Sequence, residues 1–184
     1  MNLVSELENF DLQSAEVLYA KDSEIIKLKN SQVTQLISMS NQNERKRIRI
    51  CTHRGPGELL HEMIIVHAKG TYVRPHKHLG RSESFHVISG RADVIVLDDF
   101  AEIVDVIPMG DYRSGEHFYY RLNSNFFHTM LIYSDSLVFQ EVTMGPFDPK
   151  STIFAPWSPT EDVADEVVSF TESMNKRAQN FLRL

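Results

Sequence analysis

The chain has 184 residues, enough for one domain with a real hydrophobic core and short for two. Its apolar fraction of 42% and charged fraction of 24% are ordinary for a globular protein, and a formal net charge of −6 gives no global electrostatic case for nucleic acid or a membrane surface. The single cysteine excludes an internal disulfide framework, no apolar run approaches membrane-spanning length, and Met1–Glu6 lacks the basic-then-apolar pattern of a secretory signal, so cytoplasmic residence is the expectation.

Residues 16–29 read as two strands around the polar turn Lys21-Asp22-Ser23. Ser31 can cap a short helix carrying Val33, Leu36 and Ile37 at helical spacing, which Asn41-Gln42-Asn43-Glu44 ends. From there the pattern turns to short strands: 47–51, 61–69, 72–76, 83–88, 92–97, 103–107, 117–122, 128–133 and 137–142. Turn residues separate them at regular spacing, which argues for a mainly β sandwich or barrel. The basic run Arg45-Lys46-Arg47-Ile48-Arg49 alternates like a strand and reads as a solvated edge or pocket wall rather than a nucleic-acid patch. Gly145-Pro146-Phe147-Asp148-Pro149 and Phe154-Ala155-Pro156-Trp157 form either a lid over the barrel mouth or a strap across its surface. Last comes an amphipathic helix with Val163, Val167, Phe170, Met174, Ala178 and Phe181 in one stripe, capped by Thr160. Glu161 and Asp162 suit its positive end, and Lys176, Arg177 and Arg183 its negative end. With no internal repeat or low-complexity linker, the expected division is an N-terminal extension at 1–45, a β-barrel at 46–160 and a C-terminal helix at 161–184.

One stretch carries chemistry. From Gly70 to Gly90 the chain reads G-x5-H-x-H-x4-E-x6-G, with His76, His78 and Glu83 at the fixed positions. Side chains alternate along a strand, so His76 and His78 point the same way. Glu83 follows a short polar turn, from which a hairpin partner strand can return a carboxylate to that face. Two imidazoles and a carboxylate hold a divalent transition metal with open coordination positions, and this donor set suits iron, manganese, nickel, cobalt or zinc.

The spacing resembles the first conserved motif of the cupins, every fixed position filled. The resemblance implies a jelly-roll β-barrel and a further histidine ligand from a later strand, for which His128 is the candidate. Where the cupin second motif usually has Pro and Gly before that histidine, this chain has Asn123 and Asn125. Asn tolerates the turn conformations that Gly supplies. A closer resemblance runs from about Ser31 to about Asp162. It is carried by Arg47–His53, His61–Ile65, Tyr72–His78, Glu83–Gly90, Asp98-Asp99, Phe127-His128-Thr129, Glu141, Gly145-Pro146-Phe147 and Phe154–Pro159. These segments are similar to the WbuC family of cupin-fold metalloproteins, found among bacterial surface-polysaccharide genes. That resemblance implies a metal held by His76, His78, Glu83 and His128, and a homodimer. Exposed apolar strand edges need such covering in any case.

Extended alternation puts Tyr72 and Arg74 on the face of the two histidines. Arg74 then offers a planar donor fork to an anionic substrate, or pairs with a structural carboxylate, and Tyr72 serves as proton donor or as barrel packing. His86, three after Glu83, falls on the opposite face unless a bulge intervenes. His61 and Glu62 are neighbours, so at most one enters the barrel, and the second histidine of HExxH is missing. His53 and His117 are expected at the surface. Cys51 reads as a buried small hydrophobe rather than a nucleophile. There is no phosphate-binding glycine loop.

The leading functional expectation is a metal-dependent enzyme of surface-polysaccharide synthesis. It would perform Lewis-acid isomerase, epimerase or lyase chemistry on a small sugar-derived or anionic substrate. The alternatives are an Fe(II)-dependent dioxygenase and a non-catalytic cupin that binds a ligand through its metal. Neither nucleic acid nor a membrane is an expected partner.

Overall fold

Alternation along the strands builds three apolar layers in the computed structural model, which describes residues 6–123 and 125–184. A hairpin of β1 (Phe10–Ser14) and β2 (Val17–Ala20) opens the chain, followed by helix α1 (Asn30–Gln42). The barrel strands are β3 (Arg47–Cys51), β4 (Leu60–Ala68), β5 (His76–His78), β6 (Glu83–Ser89), β7 (Arg91–Leu97), β8 (Ile103–Gly110), β9 (Tyr119–Leu122), β10 (Phe127–Ile132) and β11 (Ser136–Met144). A single 3-10 turn precedes β12 (Thr152–Phe154), and helix α2 (Ala164–Phe181) closes the described chain. Seven strands pair in the order β1-β2-β3-β4-β11-β6-β9 and five in the order β12-β5-β10-β7-β8.

The central layer lies between the sheets. Phe85 and Val87 of β6, Ala92 and Val94 of β7, Met130 of β10 and Phe139 of β11 all point into it. Their neighbours along each strand point out. On β10, Phe127 and Leu131 face away from the barrel and meet Ile95 and Leu97 of β7, Met174 and Ala178 of α2, and Ala155. On β3, Ile48 and Ile50 face outward and meet Leu36 of α1, Val66 and Val138. A strand covered on both faces is apolar at most positions, which is why residues 94–97 of β7 and 130–132 of β10 are unbroken apolar runs.

Several local expectations shift. The hairpin sits earlier than its sequence pattern suggests, with Phe10 opposite Ala20, and residues 21–29 form no strand. Ser31 lies inside α1 and donates to the Glu6 carboxylate, while the Gln32 side chain accepts the Lys29 backbone N–H. Helix α2 begins at Ala164, so Asp165 and Glu166 occupy its first turn in place of Glu161 and Asp162. Glu161 instead joins Glu16 in pairing with Arg45 and Arg47. The region after β11 is a strap rather than a lid: β12 pairs with β5 at the sheet edge, Phe154 opposite His76. The last glycine of the motif has a clear reason to be glycine. Gly90 turns β6 into β7 at a φ of 98°, and a Cβ there would lie 2.4 Å from the Ser136 carbonyl oxygen. No helix of the described residues is long and apolar enough to cross a membrane.

Leu36 is fully buried between α1 and the outer face of the larger sheet. Leu36→Ala is expected to lower unfolding free energy by about 2–5 kcal/mol in chemical denaturation. A loss below about 1 kcal/mol would show that α1 contributes little to the fold.

Candidate metal centre

Three histidines converge at one end of the barrel. His76 and His78 leave β5 on the same side, and His128 on β10 sits directly opposite His76 in the antiparallel register. One ring nitrogen from each of His76, His78 and His128 lies within 4.8 Å of the other two. The other nitrogen of each ring is engaged elsewhere. The His76 Nδ1–H donates to the Arg74 carbonyl at 2.8 Å, and the His128 Nδ1–H to the Phe126 carbonyl at 3.4 Å. His78 Nδ1 meets the Thr152 hydroxyl at 3.1 Å. These contacts orient the rings and leave the Nε2 lone pairs to face inward, the usual preparation of a metal-binding histidine.

Glu83 arrives from the opposite sheet. Its β6 pairs with β11 and β9, not with β5, so the hairpin return expected from the sequence does not occur. The carboxylate reaches across the barrel to bring Oε1 within 2.8 Å of His128 Nε2 and Oε2 within 3.3 Å of His78 Nε2. The shorter contact is misaligned for a hydrogen bond, so Glu83 Oε1 and His128 Nε2 are both buried without a hydrogen-bond partner. Orphaned donor atoms of this kind, in a cluster of imidazole and carboxylate, fit a divalent transition metal.

The electrostatics agree with that fit. Burial, then the neighbouring His128 and His78 rings, push His76 down to about 3, so it stays neutral as a metal ligand must. Burial alone would lower His128, but the Glu83 carboxylate beside it outweighs burial and raises it. Glu83 itself is held well below the usual carboxylate range: burial works against this, and His128 and His78 overcome it.

Tyr72 and Arg74 do not join the cluster. Strand β5 begins only at His76, so alternation does not extend back over residues 72–75, and it is Val73 that packs against the inner core. The Tyr72 hydroxyl donates to the Pro159 carbonyl, and burial pushes its phenol up to about 12. Arg74 donates to the Ser158 hydroxyl and to the Ala155 and Ser158 carbonyls. Both side chains bind the strap. His86 and His117 are exposed, and His86 falls on the outer face as its spacing from Glu83 requires. His61 is buried while Glu62 is only partly so, and Cys51 is a buried core residue. His53 departs from expectation: it is buried and stacks on His61 with ring centroids 4.1 Å apart.

A second set of polar side chains on the inner face is hard to see in the sequence. Glu141 shares the face of Leu137 and Phe139 on β11, opposite Phe85 of β6. Burial and then the charge of Glu83 push its carboxyl up to about 8. Tyr120, stacked on Phe85, has a buried hydroxyl without a partner. Alternation was the available signal, since Glu141 and Tyr120 share parity with apolar core residues of their own or the paired strand.

The fold is that of the cupins. The chain is similar to protein SO0799 from Shewanella oneidensis, at 12% identity and a TM-score of 0.51, over 69% of this chain and 85% of that one. Oxalate decarboxylase OxdC from Bacillus subtilis aligns at 19% identity and a TM-score of 0.46, over 59% of this chain and 27% of that one. The capsular polysaccharide assembling protein CapF from Staphylococcus aureus aligns at 17% identity and a TM-score of 0.44, over 53% and 27%. A family model described as a domain of unknown function, DUF6016, matches residues 28–109, a span that holds His76, His78 and Glu83 but not His128. No curated protein sequence matches the chain.

His67 gives this barrel a measurable acid response. Burial, then the nearby Arg49 charge, push it from 6.5 down to about 4. The unfolded chain takes up a proton that the folded chain refuses, so the stabilising contribution is full above about pH 6.5 and is lost as pH falls to about 4. His67→Gln is expected to flatten the fall in unfolding free energy over that window, by up to about 3 kcal/mol. Identical pH slopes for variant and wild type would show that the folded state protonates His67 freely.

Proposed function

We propose that the protein is a metal-dependent cupin enzyme of the WbuC kind, acting on a small sugar-derived or anionic substrate in bacterial surface-polysaccharide synthesis. The observation that carries this reading is the convergence of His76, His78 and His128 with the Glu83 carboxylate at one end of the barrel. When bound there, a divalent metal supplies Lewis-acid polarisation of a substrate oxygen. The polysaccharide setting rests on the sequence resemblance alone.

In this reading the chain's own groups divide the remaining work. Glu141, its carboxyl raised by burial on the inner wall, is placed to donate a proton to a ligand in the barrel. Tyr120 adds a hydroxyl donor on the same wall. Met63, Phe85 and Met130 exclude water and strengthen each polar contact in the cup. Tyr72 and Arg74 act as positioning residues, since they hold the strap that carries β12 against β5. Exposed Ile88 and Tyr119, on the neighbouring strands β6 and β9, support pairing of two copies.

Protein purified without tag or chelator is expected to carry about one equivalent of transition metal by plasma mass spectrometry. His76→Ala and His128→Ala should lose it while keeping wild-type circular dichroism. Metal at background in the wild type, unchanged in both variants, would sink the reading. Iron together with oxygen uptake would redirect it to dioxygenation.

A further inference from the structure

Away from the histidine cluster, the inner wall of the barrel holds an arginine with no ion-pair partner among the described residues. Arg49 lies on β3 between Ile48 and Ile50, both of which face outward under α1. Its own side chain therefore faces into the barrel, on the side of Cys51 and opposite Ile65 of β4. The Arg49 Nε is buried and has no hydrogen-bond partner.

The contrast with its neighbours is informative. Arg45 and Arg47 each pair with Glu16 and Glu161. The described residues include every carboxylate side chain of the chain, and none forms an ion pair with Arg49. Glu141 lies within electrostatic reach of Arg49 but forms no hydrogen bond or ion pair with it. A guanidinium cannot shed its proton to escape this situation.

A second unpartnered donor lies beside it. His67 is 8% exposed, and its Nδ1 is buried without a partner. It stands opposite Arg47 on β4, one rung diagonally from Arg49. Diagonal cross-strand neighbours are about 7–8 Å apart, close enough for long side chains to share a ligand. The neutral imidazole can carry its proton on Nδ1, which makes it a donor. The partly buried Arg49 fork, with its buried Nε, and the buried His67 N–H donor match the two oxygens of a carboxylate.

We propose that Arg49 and His67 form a carboxylate-binding site inside the barrel, separate from the histidine cluster. The separation follows from the register. His61, on the rung with Thr143 and Glu83, marks the cluster end of β4; Arg49 stands on the Ile65 rung four residues further along, about 13 Å at the rise of a strand, and His67 six residues further, about 20 Å. The ligand is a small organic acid or the acid group of a larger one. It gives the unpartnered Arg49 Nε and His67 Nδ1 an acceptor.

The test is a titration of the full-length protein with sodium acetate at constant ionic strength, chloride serving as the balancing anion. The readouts are the Nε–Hε resonance of Arg49 in arginine side-chain NMR and the melting temperature. Saturable movement of that resonance, with a rise in melting temperature, is expected in the wild type and in His76→Ala. His67→Phe should weaken binding about fivefold or more, and Arg49→Gln should abolish the thermal response. Arg49→Lys keeps the charge but not the fork, and serves if Arg49→Gln does not fold. It is expected to bind acetate about tenfold more weakly than wild type. No saturable movement in the wild type would overturn the site, as would an undiminished thermal response in Arg49→Gln or wild-type affinity in Arg49→Lys. A response to inorganic phosphate but not to acetate would overturn the carboxylate assignment. Loss of the response in His76→Ala would overturn the separateness of the two sites. Metal content is measured on the same samples, so failure of the metal reading shows there without bearing on acetate.

Discussion

The contact between Glu83 and His128, 2.8 Å across the barrel, is the point at which the two sheets meet over chemistry. Glu83 belongs to the seven-stranded sheet, while His76, His78 and His128 belong to the five-stranded one. Neither sheet holds the complete donor set alone. The site is therefore a product of closure: the apolar layer of Phe85, Val94, Met130 and Phe139 brings the walls together and so sets the spacing of the donors. A carboxylate and an imidazole buried at that junction cost desolvation energy, and a contact this poorly aligned recovers only part of it. A divalent cation held by these residues would give both orphaned atoms a partner.

The rest of the inner wall shows the same tension between burial and polarity. Apolar rows at one end give way to Glu141, Tyr120, Arg49 and His67, several of them without a hydrogen-bond partner. Folded proteins rarely leave many such groups unsatisfied, because each forfeits its hydration. Their accumulation inside one barrel sets its inner wall apart from a purely apolar core. The two helices take the opposite role. Helices α1 and α2 cover the outer faces with Leu36, Met174 and Ala178, fully apolar contacts that leave the inner faces free to carry polar groups.

Much of this architecture was legible in the sequence. The strand at 47–51 coincides with β3, and seven of the other eight expected strands overlap observed ones by most of their length. The motif placed His76, His78 and Glu83 near one another, because a two-residue period along a strand is a strong geometric constraint. What the sequence could not convey is which sheet each strand joins. Glu83 looked like the return arm of a hairpin from β5, whereas tertiary pairing sent β6 to β11 and β9. Tyr72 and Arg74 were placed by parity on a strand that turned out to be three residues long. Pairing partners are decided by the whole hydrophobic layer, and local alternation holds only as far as the strand does.

Strand β12 has a meaning for how the protein comes into being. It arises after the last barrel strand, lies along β5 with Thr152 opposite His78, and sets that ring through the Thr152 hydroxyl. As a nascent chain emerges, His76, His78, Glu83 and His128 are all out once His128 has passed, before the residues that cover the edge of β5 and meet His78. Only when residues 152–154 follow is the edge covered. The order of synthesis thus separates the appearance of the donors from their organisation, and places the maturation of the centre late in the life of the nascent chain.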